Sequence, residues 1–254
     1  MWKSLTKGVM LVQSKKFVIT YRLFFVLLCA YGIYLNIIDK SMESFMGNGT
    51  CLNFYTLQSN IWVFVLEIFL LVHLIIEVVR IKRCRADVCD VNDEKIAKQE
   101  LTKENLIILK YIVTVAICLT FLVYWCMLAP YLGLKYLLTP SNVIVHGITP
   151  LLMLIDYFTF DRKIKLKKKA ILLTLIPPIY YFAFALVRAE ISTTRLTGGS
   201  RYPYWFIDVD MFGWFGNGNG LGIMYWVLLI IIFVLGIGKV LYRVRDELRS
   251  RKFN

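Results

Sequence analysis

Residues 53–83, NFYTLQSNIWVFVLEIFLLVHLIIEVVRIKR, carry the pattern that decides the fold. Hydrogen-bonding side chains stand at the start, a long apolar run follows, and basic side chains close the stretch. A helix needs about 20 mostly apolar residues to cross a bilayer, and residues 56–79 meet that length. The stretch therefore predicts a transmembrane helix with polar first turns, which contain Thr56, Gln58, Ser59 and Asn60.

Further segments of the 254-residue chain have the same apolar character. The chain is 58% hydrophobic, whereas soluble domains are usually nearer half apolar. Runs of this length exclude the short alternating strands of a membrane β-barrel, so helices must satisfy the backbone. We predict an all-α polytopic membrane protein, a single domain over residues 1–254, with spans at about 17–38, 56–79, 106–130, 142–160, 170–187 and 221–242.

The basic residues predict the direction of each crossing. Lysine and arginine are concentrated in the N-terminal segment, after the second and fourth spans, and in the C-terminal tail. The intervening segments contain few of them, which is the alternation that the positive-inside rule requires. We therefore expect both termini on the cytoplasmic side of the cell membrane. Residues 17–38 exceed the apolar core of a signal peptide and are expected to remain as the first helix.

Composition also excludes several classes of site. The net charge of +13 does not indicate nucleic-acid binding, because the basic residues lie in short runs that flank the apolar segments. The six cysteines form no disulfide framework, since three lie inside apolar segments. His73 and Glu77 have the spacing HxxxE, but one pair is a weak metal signal, and we expect a local hydrogen bond. The sequence predicts neither a metal nor a cofactor, and it does not set the oligomeric state.

The second and fourth spans carry polar stripes. At 100° per residue, three polar residues of the second span fall within about 40°, and four of the fourth span fall within about 80°. Polar groups inside a bilayer are costly and face the bundle interior, so we expect one shared cavity. Its outer end would hold Thr56, Ser59, Asn60, Asn142 and His146, and its deeper end would hold Glu67 and Asp156.

The outer end of this expected cavity contains the parts of a nucleophilic site. A threonine hydroxyl becomes a nucleophile when a neutral histidine takes its proton, and Thr56 and His146 are the candidates. An amide from Asn60 or Asn142 could orient the imidazole or donate to an oxyanion. With an acyl chain between the apolar helices, these residues predict a hydrolase of a lipid ester.

Other interpretations of these residues stay open. Helix capping alone explains Thr56, and a transmembrane histidine often only hydrogen-bonds to a neighbouring helix. Arg22 could pair with Asp156, which would make both structural. The alternative functions are a small transporter that relays protons or a cation through Glu67 and Asp156, and a lipid-binding protein without catalysis.

Four stretches resemble a known family of membrane proteins. They are FYTLQSN at 54–60, VHGITPLLMLIDYFTFD at 145–161, PPIYYFAFALVRAEI at 177–191 and RYPYWFIDVD at 201–210. Together they are similar to the androgen-induced / androgen-dependent TFPI-regulating protein family of six-helix membrane threonine hydrolases. The resemblance covers most of the chain, with Tyr55 where the family motif usually has phenylalanine.

This resemblance implies an activity and its residues. Characterised animal members of the family cleave fatty acid esters of hydroxy fatty acids with a threonine and a histidine, which the motifs place at Thr56 and His146. A membrane lipid or fatty acyl substrate is the implied partner. The aromatic outer segment, residues 189–220, would then cap the cavity through Tyr202 and Tyr204, with Asp208 as a partner for His146 or Arg201 by position.

Overall fold

Long helices form the protein in the computed structural model, which describes residues 2–38, 51–86, 93–161, 164–196, 199–218 and 220–253. Side chains are described for residues 15–38, 51–81, 102–161, 164–196, 199–218 and 220–251. The helices are α1 (Trp2–Ile38), α2 (Tyr55–Ala86), α3 (Asp93–Val123), α4 (Pro140–Thr159), α5 (Ala170–Ile191) and α6 (Ile223–Phe253). No β-strand occurs in the described ranges.

Each of these helices, with the turns that extend α3 to Tyr131, contains a segment that is long and apolar enough to cross a membrane. The predicted all-α fold with six spans is therefore confirmed, and most predicted ends lie within a few residues of the observed ones. The sixth span differs most, because its helix continues well past residue 242. The observed segments are Lys15–Ile38, Tyr55–Ile81, Thr102–Tyr131, Pro140–Thr159, Ala170–Ile191 and Ile223–Arg251.

Helix α3 lies at the centre of the bundle and contacts α2, α4, α5 and α6. Its residues Tyr111, Val115 and Ile117 have no exposed surface. The ring of Tyr111 stacks on that of Tyr157 from α4, with the centroids 6.0 Å apart, and its hydroxyl donates to the carbonyl oxygen of Gly238 in α6 at 2.7 Å. Helix α1 completes the bundle by packing against α2 and α4.

Three of the helices are irregular inside the spans. Helix α3 continues into a π-helical turn, Tyr124–Leu128, and a 3-10 turn, Ala129–Tyr131, while α4 contains a π-helical turn at Ile144–Ile148. A π-helical turn inserts one extra residue and is frequent at functional sites. Helix α5 is interrupted at residues 174–175, so that Pro177 and Pro178 stand in the first turn of Ile176–Ile191, where proline is tolerated. The paired prolines therefore mark an interruption in the predicted fifth span.

A glycine sets the distance between α1 and α4. A Cβ atom at Gly32 would overlap the Cγ2 atom of Ile144, the first residue of the π-helical turn in α4. The close approach therefore requires glycine at position 32. It fixes the position of the turn that contains His146.

The segment between α5 and α6, called the outer segment, is folded over the end of the bundle at which α2 begins. We call this end the outer end and the opposite one the inner end. The outer segment contains a 3-10 turn, Trp205–Ile207, and a single α-helical turn, Val209–Phe212. Arg188 of α5 donates to the carbonyl oxygen of Thr194 at 3.1 Å, which holds the start of the segment. Trp205 packs edge-on against Trp226 of α6 at a centroid distance of 5.0 Å. The aromatic composition of the segment thus serves packing against the helices.

Candidate active site

Thr56 lies in the first turn of α2. The amide of Gln58 donates to the carbonyl oxygen of Phe54 at 3.4 Å. The first hydrogen bond of the helix is therefore accepted by Phe54, two residues before Thr56. The amide of Tyr55 donates to the hydroxyl of Tyr204, 3.1 Å away. The interpretation of Thr56 as the helix cap is therefore wrong, because a side chain of the outer segment caps α2.

Tyr204 joins this helix start to α5. Its hydroxyl hydrogen-bonds with the side chain of Thr56 and with the hydroxyl of Tyr181, which itself donates to the carbonyl oxygen of Asn53 at 2.8 Å. Burial raises the pKa of Tyr204 to about 12, although the hydrogen bonds from Thr56 act to lower it. The phenol is therefore protonated at neutral pH, and its hydrogen is used in the bond to Tyr181, because the Tyr181 hydrogen goes to Asn53.

His146 lies in the π-helical turn of α4 and is 6% exposed. Its ring stacks on the ring of Tyr124, with centroids 3.5 Å apart and planes within 12°. Its carbonyl oxygen accepts a hydrogen bond from the indole of Trp125 at 3.1 Å. Its Nδ1 atom is buried and has no hydrogen-bond partner among the described residues. The imidazole is thus held by stacking and by its backbone.

Thr56 and His146 line one cavity of about 610 Å³ at the outer end of the bundle. The structure therefore brings together the two residues nominated from the polar stripes. The cavity lies between the outer ends of α1 to α4 and the outer segment, and its walls combine apolar, aromatic and polar side chains. The lining residues are Asn36, Phe54, Thr56, Leu57, Tyr124, Leu128, Tyr131, Leu132, Tyr136, His146, Leu196, Tyr202, Pro203, Tyr204 and Trp205.

A second, smaller cavity lies on the other side of Thr56. Its volume is about 110 Å³, and it is bounded by α2, α3, α5, α6 and the outer segment. Four residues line both cavities, namely Thr56, Tyr124, Leu128 and Tyr204. Thr56 therefore stands at the boundary between a mixed chamber that contains His146 and an apolar cleft between helices.

The predicted amide donors have structural partners instead. Asn60 uses its two amide hydrogens on the carbonyl oxygens of Thr56 and Val145, at 2.8 and 3.1 Å. No amide hydrogen of Asn60 remains for an oxyanion, so that proposed contribution is corrected. Because Val145 precedes His146, the same two bonds tie the backbone of the threonine to the backbone beside the histidine.

Asn142 supports the stacked aromatic pair. Its amide donates to the hydroxyl of Tyr124 and to the carbonyl oxygen of Tyr136, the latter at 3.1 Å, so neither hydrogen is available to an oxyanion. Tyr124 in turn stacks on His146. Asn142 is therefore a positioning residue for the imidazole and does not line the cavity.

Ser59 is also turned away from the cavity. Its side chain is fully buried, and its hydroxyl donates to the carbonyl oxygen of Thr56 at 2.9 Å. It also lies 2.7 Å from the hydroxyl of Thr120 in α3. Ser59 therefore links α2 to α3 behind the threonine and does not compete with it for a ligand.

The deeper carboxylates occupy an ion-pair cluster rather than the deeper end of the cavity. Asp156 contacts Lys110 and lies 3.3 Å from Nε of Arg22, as the sequence suggested for the arginine. Glu67 lies 3.8 Å from the same Nε atom. Both acidic residues have no exposed surface, and neither lines the cavity of His146. The prediction of a continuous deep pocket is therefore wrong, because cationic side chains fill that space.

Two further residues close this inner cluster. Asp161, just after α4, lies 2.6 Å from Arg22 and 3.3 Å from Lys110, and Arg245 of α6 donates to its carbonyl oxygen at 2.7 Å. Burial would raise the pKa of Asp161, but the charges of Lys110 and Arg22 hold it well below its usual range. Arg22 and Lys110 thus face three carboxylates when Glu67 and Asp156 are included, and Arg245 meets a backbone oxygen of the same cluster. These contacts give the buried charges a structural role.

The outer segment supplies the cap that the sequence suggested, but not through Asp208. Tyr202 and Tyr204 line the cavity. Asp208 accepts hydrogen bonds from the hydroxyl of Ser200 at 2.6 Å and from the amide of Met211 at 2.9 Å. It is the N-cap of the helical turn Val209–Phe212, so its expected pairing with His146 or Arg201 is corrected.

Arg201 forms its ion pair with a different residue of the same turn. Its guanidinium contacts Asp210 at 2.5 Å, and the pair is partly exposed. The hydrogen bonds from Arg201 lower the pKa of Asp210. The side chain of Arg201 thus fixes the cap rather than the cavity.

His73 and Glu77, the HxxxE pair at the inner end, do not share one interaction. Glu77 binds Lys15 of α1 and Lys103 of α3, at 3.0 and 2.9 Å. His73 Nε2 has no hydrogen-bond partner among the described residues, so the expected local hydrogen bond is not formed. No cluster of three candidate metal ligands occurs in the parts of the chain that were described. The ion pairs of Glu77 join the inner ends of three helices.

Two cavity residues were not found from the sequence. Asn36, near the end of α1, is 5% exposed and lines the cavity with Thr56 and His146. Tyr124 carries the stacking contact to His146. A tyrosine at the outer end of a span is typical of the membrane interface, and a single asparagine forms no stripe, so neither gave a distinguishing signal.

Comparisons with known proteins do not extend these assignments. No protein-family model matches the chain, and no curated protein or solved structure matches it.

Proposed function

We propose that this protein is an intramembrane hydrolase of lipid esters, of the type in which a fatty acid is esterified to a hydroxy fatty acid. We further propose that it is a member of the family that its motifs resemble. Thr56 is the nucleophile and His146 is the base. The observation that carries the proposal is the single cavity lined by both side chains at the outer end of the bundle.

The surroundings of the pair support this chemistry. The Thr56 hydroxyl is not needed to cap its helix, because the hydroxyl of Tyr204 accepts a hydrogen bond from the amide of Tyr55. The imidazole of His146 is held by Tyr124 and has no carboxylate partner within the described residues, so it is suited to act as a neutral base. The Thr56 hydroxyl contacts the Tyr204 phenol, and both Thr56 and His146 line the cavity in which a ligand would lie.

The proposed reaction proceeds in two halves. The Thr56 oxygen attacks the ester carbonyl carbon while His146 takes the hydroxyl proton. The bond to the alcohol oxygen then breaks, and His146 returns that proton to the leaving alcohol. Water, deprotonated by His146, releases the acid from the threonine ester and restores the hydroxyl. The amide of Asn36 lines the same cavity and is the donor that we assign to the oxyanion.

We propose that the protein lies in the cell membrane with both termini in the cytoplasm. The alternation of basic segments supports this direction. Under this orientation the cavity faces the outer leaflet. A membrane-impermeant maleimide should label Ser192→Cys in intact cells and Ser250→Cys only after permeabilisation, relative to the unmodified protein. The reverse pattern would invert the topology.

The decisive experiment combines activity-based labelling with lipid analysis. A fluorophosphonate probe applied to membranes should label the wild type, fail to label Thr56→Ala and His146→Ala, and still label Ser59→Ala. Ser59 is the matched control because it is a buried hydroxyl near Thr56 that does not line the cavity. Mass spectrometry of membranes should show one ester class accumulating with Thr56→Ala.

Three outcomes would reject parts of this proposal. Full labelling of Thr56→Ala would exclude Thr56 as the nucleophile. Lipid that copurifies without turnover would favour a non-catalytic lipid-binding protein. Proton flux in liposomes that is lost in Glu67→Gln would favour the transporter, which the ion pairs of Glu67 and Asp156 do not support.

A further inference from the structure

The apolar cleft beside Thr56 differs from the chamber of His146 in what it offers a ligand. Its walls include Pro178, Phe182, Val227, Ile230 and Ile231, all from α5 and α6. These side chains can offer a ligand dispersion and apolar contact only. The cleft therefore selects an apolar occupant.

The hydroxyls in the wall of the cleft are largely engaged by the protein. Thr120 lies 2.7 Å from the hydroxyl of Ser59, and Tyr181 donates to the carbonyl oxygen of Asn53. Tyr124 accepts a hydrogen bond from Asn142. Thr56 is thus the wall residue that combines a reactive hydroxyl with access to both cavities.

The cleft has its rim on the membrane-facing surface of the bundle. Ile179 in its wall is 55% exposed, and Val227, Ile230 and Ile231 are half-buried. All four belong to transmembrane segments, so the medium around them is lipid hydrocarbon. An acyl chain can therefore enter sideways from the bilayer without passing through water.

The direction of the reaction decides which part of the ester lies in which cavity. His146 must give its proton to the leaving alcohol oxygen, so the alcohol part has to lie on the side of His146. That side is the chamber of about 610 Å³. The acyl part, which becomes attached to the Thr56 oxygen, must then extend to the opposite side.

We propose that the cleft between α3, α5 and α6 is the acyl-chain site, and that the chamber beside His146 holds the alcohol part of the ester. This assignment rests on the proposed hydrolase function. The cleft then sets the preferred length of the acyl chain, while the chamber sets the preferred alcohol. Val227, Ile230 and Ile231 are the specificity-determining residues of the acyl site.

A filling substitution tests the assignment by its selectivity. Val227→Trp should lower turnover of a palmitoyl ester at least tenfold relative to a butyryl ester of the same alcohol. It should leave the dependence on alcohol length unchanged within twofold. Leu228→Trp is the matched control, because its side chain is 55% exposed and is not part of the cleft wall. An unfolding temperature of Val227→Trp that matches that of Leu228→Trp shows that the variant is folded.

A second measurement reports the site without any hydrolysis. In Thr56→Ala, a palmitic acid with a terminal diazirine should crosslink within residues 176–182 or 223–231. Val227→Trp in the same background should reduce that crosslink at least fivefold, and Leu228→Trp should not. Equal crosslinking in the two tryptophan variants would overturn the acyl-site assignment, even for an active hydrolase. Specific crosslinking by a protein that no fluorophosphonate labels would keep the acyl site and reject the proposed hydrolase.

Discussion

The outer and inner ends of the bundle use buried polar residues in opposite ways. At the inner end, Arg22, Lys110 and Asp156 are paired within a cluster that fills its space. At the outer end, Thr56 and His146 border a cavity, and His146 Nδ1 lacks a partner among the described residues. One polar stripe of α4 thus contributes to an ion-pair cluster at one end and to the wall of a cavity at the other. The difference shows that polarity in a span identifies an interior face but not its role.

The inner end should be the more sensitive to loss of a charge. Arg22→Met leaves Asp156 and Glu67 buried with one cation fewer, and we expect it to cost about 3–5 kcal/mol of unfolding free energy. Lys15→Met, which breaks a partly exposed pair with Glu77, should cost at most about 1 kcal/mol. Thermal unfolding in detergent would measure both. Similar losses of unfolding free energy in the two variants would contradict the expectation that the inner cluster is the more sensitive to loss of a charge.

The outer end should lose activity rather than stability. His146→Ala should reduce the rate of fluorophosphonate labelling about 100-fold, the range expected when a general base is removed, with little change in the unfolding temperature. The protein has two histidines, so His73→Ala at the inner end is a matched control that should label normally. Equal loss in both variants would mean that labelling reports general damage.

The spacing of α1 and α4 offers a test of position without loss of a chemical group. Gly32→Ala must displace Ile144, and we expect it to cost about 1–3 kcal/mol in stability and to slow labelling. A Cβ atom at Gly147, directly after His146, would meet nothing within 4 Å, so Gly147→Ala is the control and should label like the wild type. Unfolding and labelling of the two alanine variants would be compared side by side.

The cap from the outer segment should contribute a smaller amount. Tyr204→Phe removes the acceptor of the Tyr55 amide, which should cost about 1 kcal/mol, as for the loss of other helix caps. It should also slow labelling, since the phenol contacts Thr56. Tyr131→Phe in the same cavity is the control, because Tyr131 is 83% exposed. If Tyr204→Phe changed neither the unfolding free energy nor the labelling rate, the Tyr204 hydroxyl would contribute neither to the helix cap nor to the site.

Helix length and hydropathy were sufficient to predict the spans. The second span, for example, was expected at 56–79 and is found at Tyr55–Ile81. The pairing of Arg22 with Asp156 was also anticipated, since a buried carboxylate in a span needs a cation. These features depend on local composition and on a strong energetic requirement, and both are visible in one sequence.

Other features of the site depend on contacts between distant segments. The hydroxyl of Tyr204 caps a helix that begins 149 residues earlier, and no local pattern encodes that meeting. The π-helical turn at Ile144–Ile148 adds a residue between Asn142 and Asp156, so a constant 100° per residue misjudges the faces beyond it. The amides of Asn60 and Asn142 were wrongly assigned to an oxyanion. Their hydrogen-bond partners lie on neighbouring segments, which the polar stripe of one helix does not reveal.

The position of Arg245 in the last helix has a consequence for biogenesis. Its guanidinium donates to the carbonyl oxygens of Tyr157 and Asp161, at 3.0 and 2.7 Å, and lies over the Tyr157 ring. Those oxygens lie in and just after the last turn of α4, which the ribosome completes more than 80 residues before it reaches the arginine. A nascent chain therefore lacks the donor for both oxygens until its final helix has been synthesised. A chain that stops before position 245 would leave this end of the bundle without that donor.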